Sequence, residues 1–131
     1  MRAVARNGHM PPGASHLTRA TATLRALRGM VASALQQYES AAGRPEALEA
    51  LDFQTSMNLL KVNASELASS TVMSVLQTRG FAGYRNDGEM SVSRHVRDIL
   101  SASIMINNDR ILAAANCAML AEAPALLREG F

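Results

Sequence analysis

The feature that most constrains this chain is the segment from Pro45 to Thr78, where apolar residues recur at helical spacing on two separate stripes. Leu48, Leu51, Leu59, Val62, Met73 and Leu76 form one stripe. Phe53, Met57, Leu60, Ala64 and Leu67 form the other, about a quarter-turn round the same cylinder. With Pro45 suited to its first turn, the segment predicts one helix of about 45 to 50 Å. A helix apolar over so wide an arc is packed on two sides, as in the interior of a bundle.

The flanking segments fit around it. Residues 1–14 show no periodicity and hold two prolines, which predicts a flexible tail, with residues 15–131 forming the helical domain. A first helix is expected from Ser15 as N-cap, carrying Leu17, Leu24, Leu27, Val31, Leu35 and Tyr38, and ended by Gly43 and Pro45. After the long helix comes a loop, then a short helix near 89–100. A last helix is capped by Asn107 or Asn108 and runs to about Ala121. No alternation long enough for a sheet and no internal repeat is present. The fold class is all-α, an antiparallel up-and-down bundle with too few helices to cover both stripes, so oligomerisation or a partner should complete it.

Composition narrows the function classes. A formal charge of +2 and scattered basic residues argue against a nucleic-acid surface. Twelve of the thirteen basic residues are Arg and one is Lys61, a skew that a GC-rich genome would produce. The single cysteine, Cys117, cannot form an internal disulfide, and no apolar run approaches the ~18 residues a membrane span needs. A cytoplasmic protein with no membrane segment is expected. The first 38 residues carry five Arg and no acid, a faint likeness to a transit peptide, although three of those arginines sit in a helical pattern. His9, His16, His95 and Cys117 show no metal-ligand spacing, so no metal site is expected. Cys117 among alanines reads as a small buried hydrophobe.

One corner departs from the helical habit: QTRGFAGYRNDG, from Gln77 to Gly88. Its glycines let backbone approach a partner closely, Gln77 offers an amide and Tyr84 an aromatic face with a hydroxyl; the same residues also fit a helix C-cap followed by a turn. At the last helix, the NND of Asn107 to Asp109 together with Arg110 suits either capping or a ligand at the helix N-terminus. Arg97 and Asp98 read as a pair holding the short helix to the long one, or Arg94 and Arg97 as facing a phosphate. Glu66 reads as a hydrogen-bond partner for Lys61 or an Arg, or as a perturbed acid.

The order of these features resembles the C-terminal helical domain of the acyl-CoA dehydrogenase family. A long helix with Lys61 and ASELAS precedes Gln77, then a Gly-rich loop ending in Gly-Tyr, an Arg-Asp pair and a final helix. Gln77, Gly80, Gly83 and Tyr84 match the family's loop pattern, and Phe81 replaces its middle glycine. The resemblance covers about Leu17 to Met119. It implies a four-helix bundle that assembles dimers of dimers, FAD as cofactor, and a flavin contact through Gln77, Gly80 and Phe81 at the loop and Asn108 and Arg110 at the last helix. On this reading the corner is glycine-rich because backbone amides must come close to a bound phosphate.

The resemblance also implies what is missing. The family's reaction removes a proton beside a thioester carbonyl and passes a hydride to the flavin, which needs a carboxylate base. Aligning from Arg97 and Asp98 puts Ile106 where many members carry that Glu, and Ile106 cannot accept a proton. The first bundle helix, the N-terminal helical domain and the middle β-domain have no counterpart here. No catalytic residue is therefore assigned, and an oxidoreductase acting on an acyl thioester is expected only in an assembly, either a homo-oligomer or a complex with a flavoprotein subunit supplying the missing domains. The alternative is a helical assembly module that kept the fold and lost the chemistry.

Overall fold

The computed structural model describes residues 8, 10–105 and 107–122. Six helices follow one another: α1 (Ala14–Ala41), α2 (Pro45–Glu49), α3 (Leu51–Arg79), α4 (Phe81–Tyr84), α5 (Ser93–Met105) and α6 (Asn108–Glu122), with no strand among the described residues. The all-α expectation is met. α3 is the organising element, because α1, α2, α4, α5 and α6 all pack on it.

α1 and α3 form an antiparallel hairpin. At one end Gly13 lies against the backbone of Thr78, so close that an added Cβ would sit 3.3 Å from the Thr78 Cα and carbonyl oxygen. Further along, the hydroxyls of Thr23 and Thr71 share a hydrogen bond of 2.7 Å, the one described side-chain hydrogen bond across this seam. The turn back passes through Gly43 at φ +81°, after the Ala42 N–H caps α1 on the Tyr38 carbonyl at 2.8 Å. α5 then returns antiparallel to α3: its lead-in residue Val92 donates to the Gly83 carbonyl at 2.9 Å, and Ala102 near its far end meets Lys61.

Two boundaries differ from the sequence expectation for physical reasons. Ser15 is not the N-cap; α1 starts one residue earlier, behind Gly13, whose φ of +87° belongs to glycine and whose contact with the Thr78 backbone leaves little room for a side chain. The long helix expected from Pro45 is broken at Ala50, which takes φ −58° and ψ 133°. The Gln54 side chain donates to the Leu48 carbonyl at 2.6 Å and so satisfies an orphan acceptor at the end of α2. α3 alone keeps 29 residues, about 43 Å. The short helix starts later and runs further than expected, over Ser93–Met105.

The interior is built mostly from small residues. Ala20, Ala34, Ala41, Ala115, Ser65, Ser74 and Val92 are buried, and Val62, at 2% exposed, is the one large side chain fully enclosed among the described residues. Alanine seams let helices approach closely but remove little apolar area from water. Many large apolar side chains stay outside, among them Val31, Leu35, Leu51, Met73 and Ile104.

With so few large side chains enclosed, Val62 should tolerate charge least. Val62→Asp places an unpaired carboxylate in the seam, and we expect a loss of about 4 kcal/mol, read as loss of the cooperative thermal transition by circular dichroism.

Candidate functional site

The corner after α3 is shaped by two glycines with different jobs. Gly80 takes φ +60° and ψ −144°, a conformation that side chains oppose, and its N–H caps α3 on the Leu76 carbonyl at 2.8 Å. An added Cβ there would meet nothing within 4 Å, so Gly80 serves backbone geometry. Gly83 is the reverse. It is buried, and an added Cβ would lie 2.8 Å from the Arg79 Cβ, 3.4 Å from Leu76 and 3.5 Å from Val92. Its N–H bonds to the Gly80 carbonyl at 3.0 Å. Both glycine amides are therefore engaged inside the turn, and folding alone accounts for both glycines.

What the corner presents outward is aromatic. Of three Phe, two Tyr and no Trp in the chain, Phe81 and Tyr84 both lie on the single turn of α4, 80% and 70% exposed. At a spacing of three they share one face. Gln77 is also exposed, on the last turn of α3. Beside them a cleft of about 300 Å³ opens between the corner and α5, lined by Leu76, Tyr84, Asn86, Ser93, Val96 and Arg97. Arg97 thus faces the corner. The expected Arg97–Asp98 pair does not form; Asp98 lies 3.6 Å from Arg94 one turn back, and both groups are exposed.

The second candidate region is held by a clasp on Lys61. Its Nζ donates to the Ala102 carbonyl at 2.9 Å and to the Asn108 Oδ1 at 2.6 Å, and the Asn108 Nδ2 donates to the Ser65 Oγ at 2.9 Å. Ser65 in turn donates to the Val62 carbonyl at 2.8 Å. Ala102 lies in the last turn of α5, whose carbonyls lack helical donors, so one ammonium caps α5 and ties the start of α6 to α3. Asn107 supplies the N-cap of α6: its Oδ1 accepts from the Asp109 N–H at 2.9 Å. Asn108 is free of that task and turns inward. A polar cleft of about 550 Å³ adjoins the clasp, lined by Ser65, Glu66, Ser69, Asn107, Asn108 and Asp109 among others. Glu66 is exposed, and the described bonds of Lys61 go elsewhere.

The five expected flavin contacts do not converge within one chain. Gln77, Gly80 and Phe81 sit at the far end of α3, while Asn108 meets α3 at Ser65; twelve helical positions separate Ser65 from Gln77, about 18 Å. Arg110 is exposed at the start of α6. Ile106 lies outside the described residues, as do residues 1–7 and 9 of the expected tail. Cys117 is a correction: it is exposed. α6 uses Asn108, Ile111, Ala115 and Ala118 as its inner stripe, and two residues beyond Ala115 lies about 200° away round the helix. No group of three or more His, Cys, Asp or Glu among the described residues could hold a metal ion, and no helix among them is long and apolar enough to cross a membrane.

Two variants separate the roles of these residues. Lys61→Met keeps the stem but strands the Ala102 and Asn108 acceptors, and should cost about 2 kcal/mol, with faster hydrogen exchange in α5 and α6 before α1. Gly83→Ala should lower the melting temperature although it adds one methyl group, because the Arg79 Cβ cannot yield.

Comparison with known proteins follows the same span of chain. A family model described as the acyl-CoA dehydrogenase C-terminal domain matches residues 11–112. Comparison with curated proteins and with solved structures returned no match. The matched span takes in the α1–α3 hairpin, the glycine corner, α5 and the clasp, well over half of the chain, which therefore belongs to the acyl-CoA dehydrogenase family through its C-terminal domain.

Proposed function

We propose that the chain acts as the C-terminal helical domain of an acyl-CoA dehydrogenase-like flavoprotein, contributing oligomerisation and one wall of a flavin site, and that it is inactive alone. The observation that carries this reading is the corner itself. Phe81 and Tyr84 stand exposed on one turn beside the Gln77 amide, an arrangement that folding does not require and that suits the edge of a bound nucleotide. FAD would supply the hydride acceptor for α,β-dehydrogenation of an acyl thioester. Gln77 would offer it an amide hydrogen bond and Phe81 a ring face. Asn108 is held by Lys61 and Ser65, so its part is to position Arg110 and the start of α6. That region lies about 18 Å along α3 from Gln77, so the two would meet different parts of an extended flavin dinucleotide, or flavins shared between copies.

A second reading rests on a specific observation: the N–H groups of Gly80 and Gly83 and the side chain of Asn108 all have internal partners. A helical assembly module that retained the fold without the chemistry would need those contacts and nothing more. Cytoplasmic location and a partner supplying the missing domains belong to the first reading.

The experiment is a pull-down from native lysate, examined for flavin absorbance, followed by FAD titration of the reconstituted complex. Gln77→Ala should weaken FAD binding about fivefold, the worth of one hydrogen bond, with unchanged melting. Equal affinities would leave the assembly module. Gly80→Val is a poor probe, since φ +60° makes it a folding variant. The purified chain with FAD and an artificial electron acceptor should show no turnover of acyl-CoA, and measurable turnover would refute inactivity.

A further inference from the structure

We infer that the outer face of α1 is a two-fold seam with a second copy of this chain, the two α1 helices antiparallel, with Arg28 of each meeting Glu39 of the other. This rests on the assembly part of the function proposed above and specifies its geometry.

The seam begins with an apolar stripe that nothing among the described residues covers. Val31, Leu35 and Tyr38 are 49%, 55% and 51% exposed. With Val31 as origin, about 100° per residue puts Leu35 at about 40° and Tyr38 at about −20°. Ala34, buried in the seam with α3, lies at about −60°. Over residues 31–38 the stripe thus lies beside the Ala34 seam and outside it. By the same arithmetic Arg28 falls at about 60° and Glu39 at about 80°, so both line one flank of the stripe.

Charge decides the occupant and its direction. The first part of α1 carries Arg19, Arg25 and Arg28 and no acid, whereas Glu39, Glu46, Glu49 and Asp52 follow, with Arg44 the one base among them. Arg28 and Glu39 are eleven positions apart, about 16 Å, too far to pair within the helix. The ion pairs among the described residues are Arg85–Asp87 and Arg94–Asp98, so neither Arg28 nor Glu39 has a charged partner among them. A parallel two-fold pair would set the two copies of Arg28 at one level on opposite flanks, where neither meets the other copy's Glu39. In an antiparallel pair the two-fold axis stands perpendicular to the plane of the helices, so each flank meets its own equivalent. An axis passing beside Ser33 sets Val31 across from the partner's Leu35 and Arg28 within one position of the partner's Glu39. One register therefore closes the stripe and forms two equivalent ion pairs, and a second copy provides both the apolar surface and the charges.

Sedimentation velocity of the full chain over a concentration series tests this, with circular dichroism confirming helicity of each variant. The wild type should dimerise and Leu35→Asp should be monomeric and helical. Arg28→Glu and Glu39→Arg should each weaken the dimer about tenfold, by turning two attractive pairs into repulsive ones. An equimolar mixture of these two variants should regain wild-type affinity, because in the mixed dimer one pair is charge-reversed and the other is the native Arg28–Glu39 pair, so both are attractive; an effect within one chain cannot be repaired by mixing. If Leu35→Asp dissociates the dimer while the charge reversals do nothing, or if mixing fails to restore it, the antiparallel seam is overturned and the assembly reading stands. A wild type that stays monomeric at all concentrations overturns the seam and self-assembly together, leaving the flavin corner to its own titration.

Discussion

The arrangement depends on one ammonium group. α5 and α6 are short, and what fixes them to α3 at their junction is the Lys61 Nζ, which reaches a carbonyl at the end of one and a side chain at the start of the other. A helix end needs acceptors or donors from outside its own ladder, and here a single flexible cation serves the C-terminal end of α5 while Asn107 serves the N-terminal end of α6. That division of labour lets Asn108 turn inward to Ser65. The register of the last third of the fold follows from it.

The rest of the interior is thin. Alanine and serine line the seams of α1, α3 and α6, which brings the helix axes close but leaves little apolar area to offset the entropy of ordering the chain. Several large apolar residues stay exposed, on α1, on α5 and on α6 among others. A protein built this way gains stability by mass action whenever a partner covers those faces, so its folding and its assembly are linked equilibria. The same logic connects structure to function in the proposed reading: a domain stabilised by its neighbours is also one whose exposed corner is held against them.

Much of this was legible in the sequence. The 3.6-residue periodicity gave the helices, and the match of Gln77, Gly80, Gly83 and Tyr84 gave the family. Other features were hidden for identifiable reasons. Ala50 interrupts the long helix without a glycine or proline to announce it, through backbone angles held by a Gln54 bond to Leu48. Two described partners of Lys61 lie 41 and 47 positions away, beyond any local pattern. Cys117 was misplaced because alanine neighbours on both sides conceal which stripe is buried. Whether Gly83 makes room for a ligand or for Arg79 depends on how α4 folds back on α3.

The contact of Gly13 with Thr78 carries a topological consequence. The chain enters α1 beside the last turn of α3, within a few residues of Gln77 and the exposed rings of α4. Anything joined ahead of position 13 therefore departs from the doorstep of the corner, whereas the far end of the hairpin, at Gly43, is a helix length away. A bulky fusion on that side would cast a steric shadow over the aromatic turn, and a short tether there would have the least slack to span in reaching it.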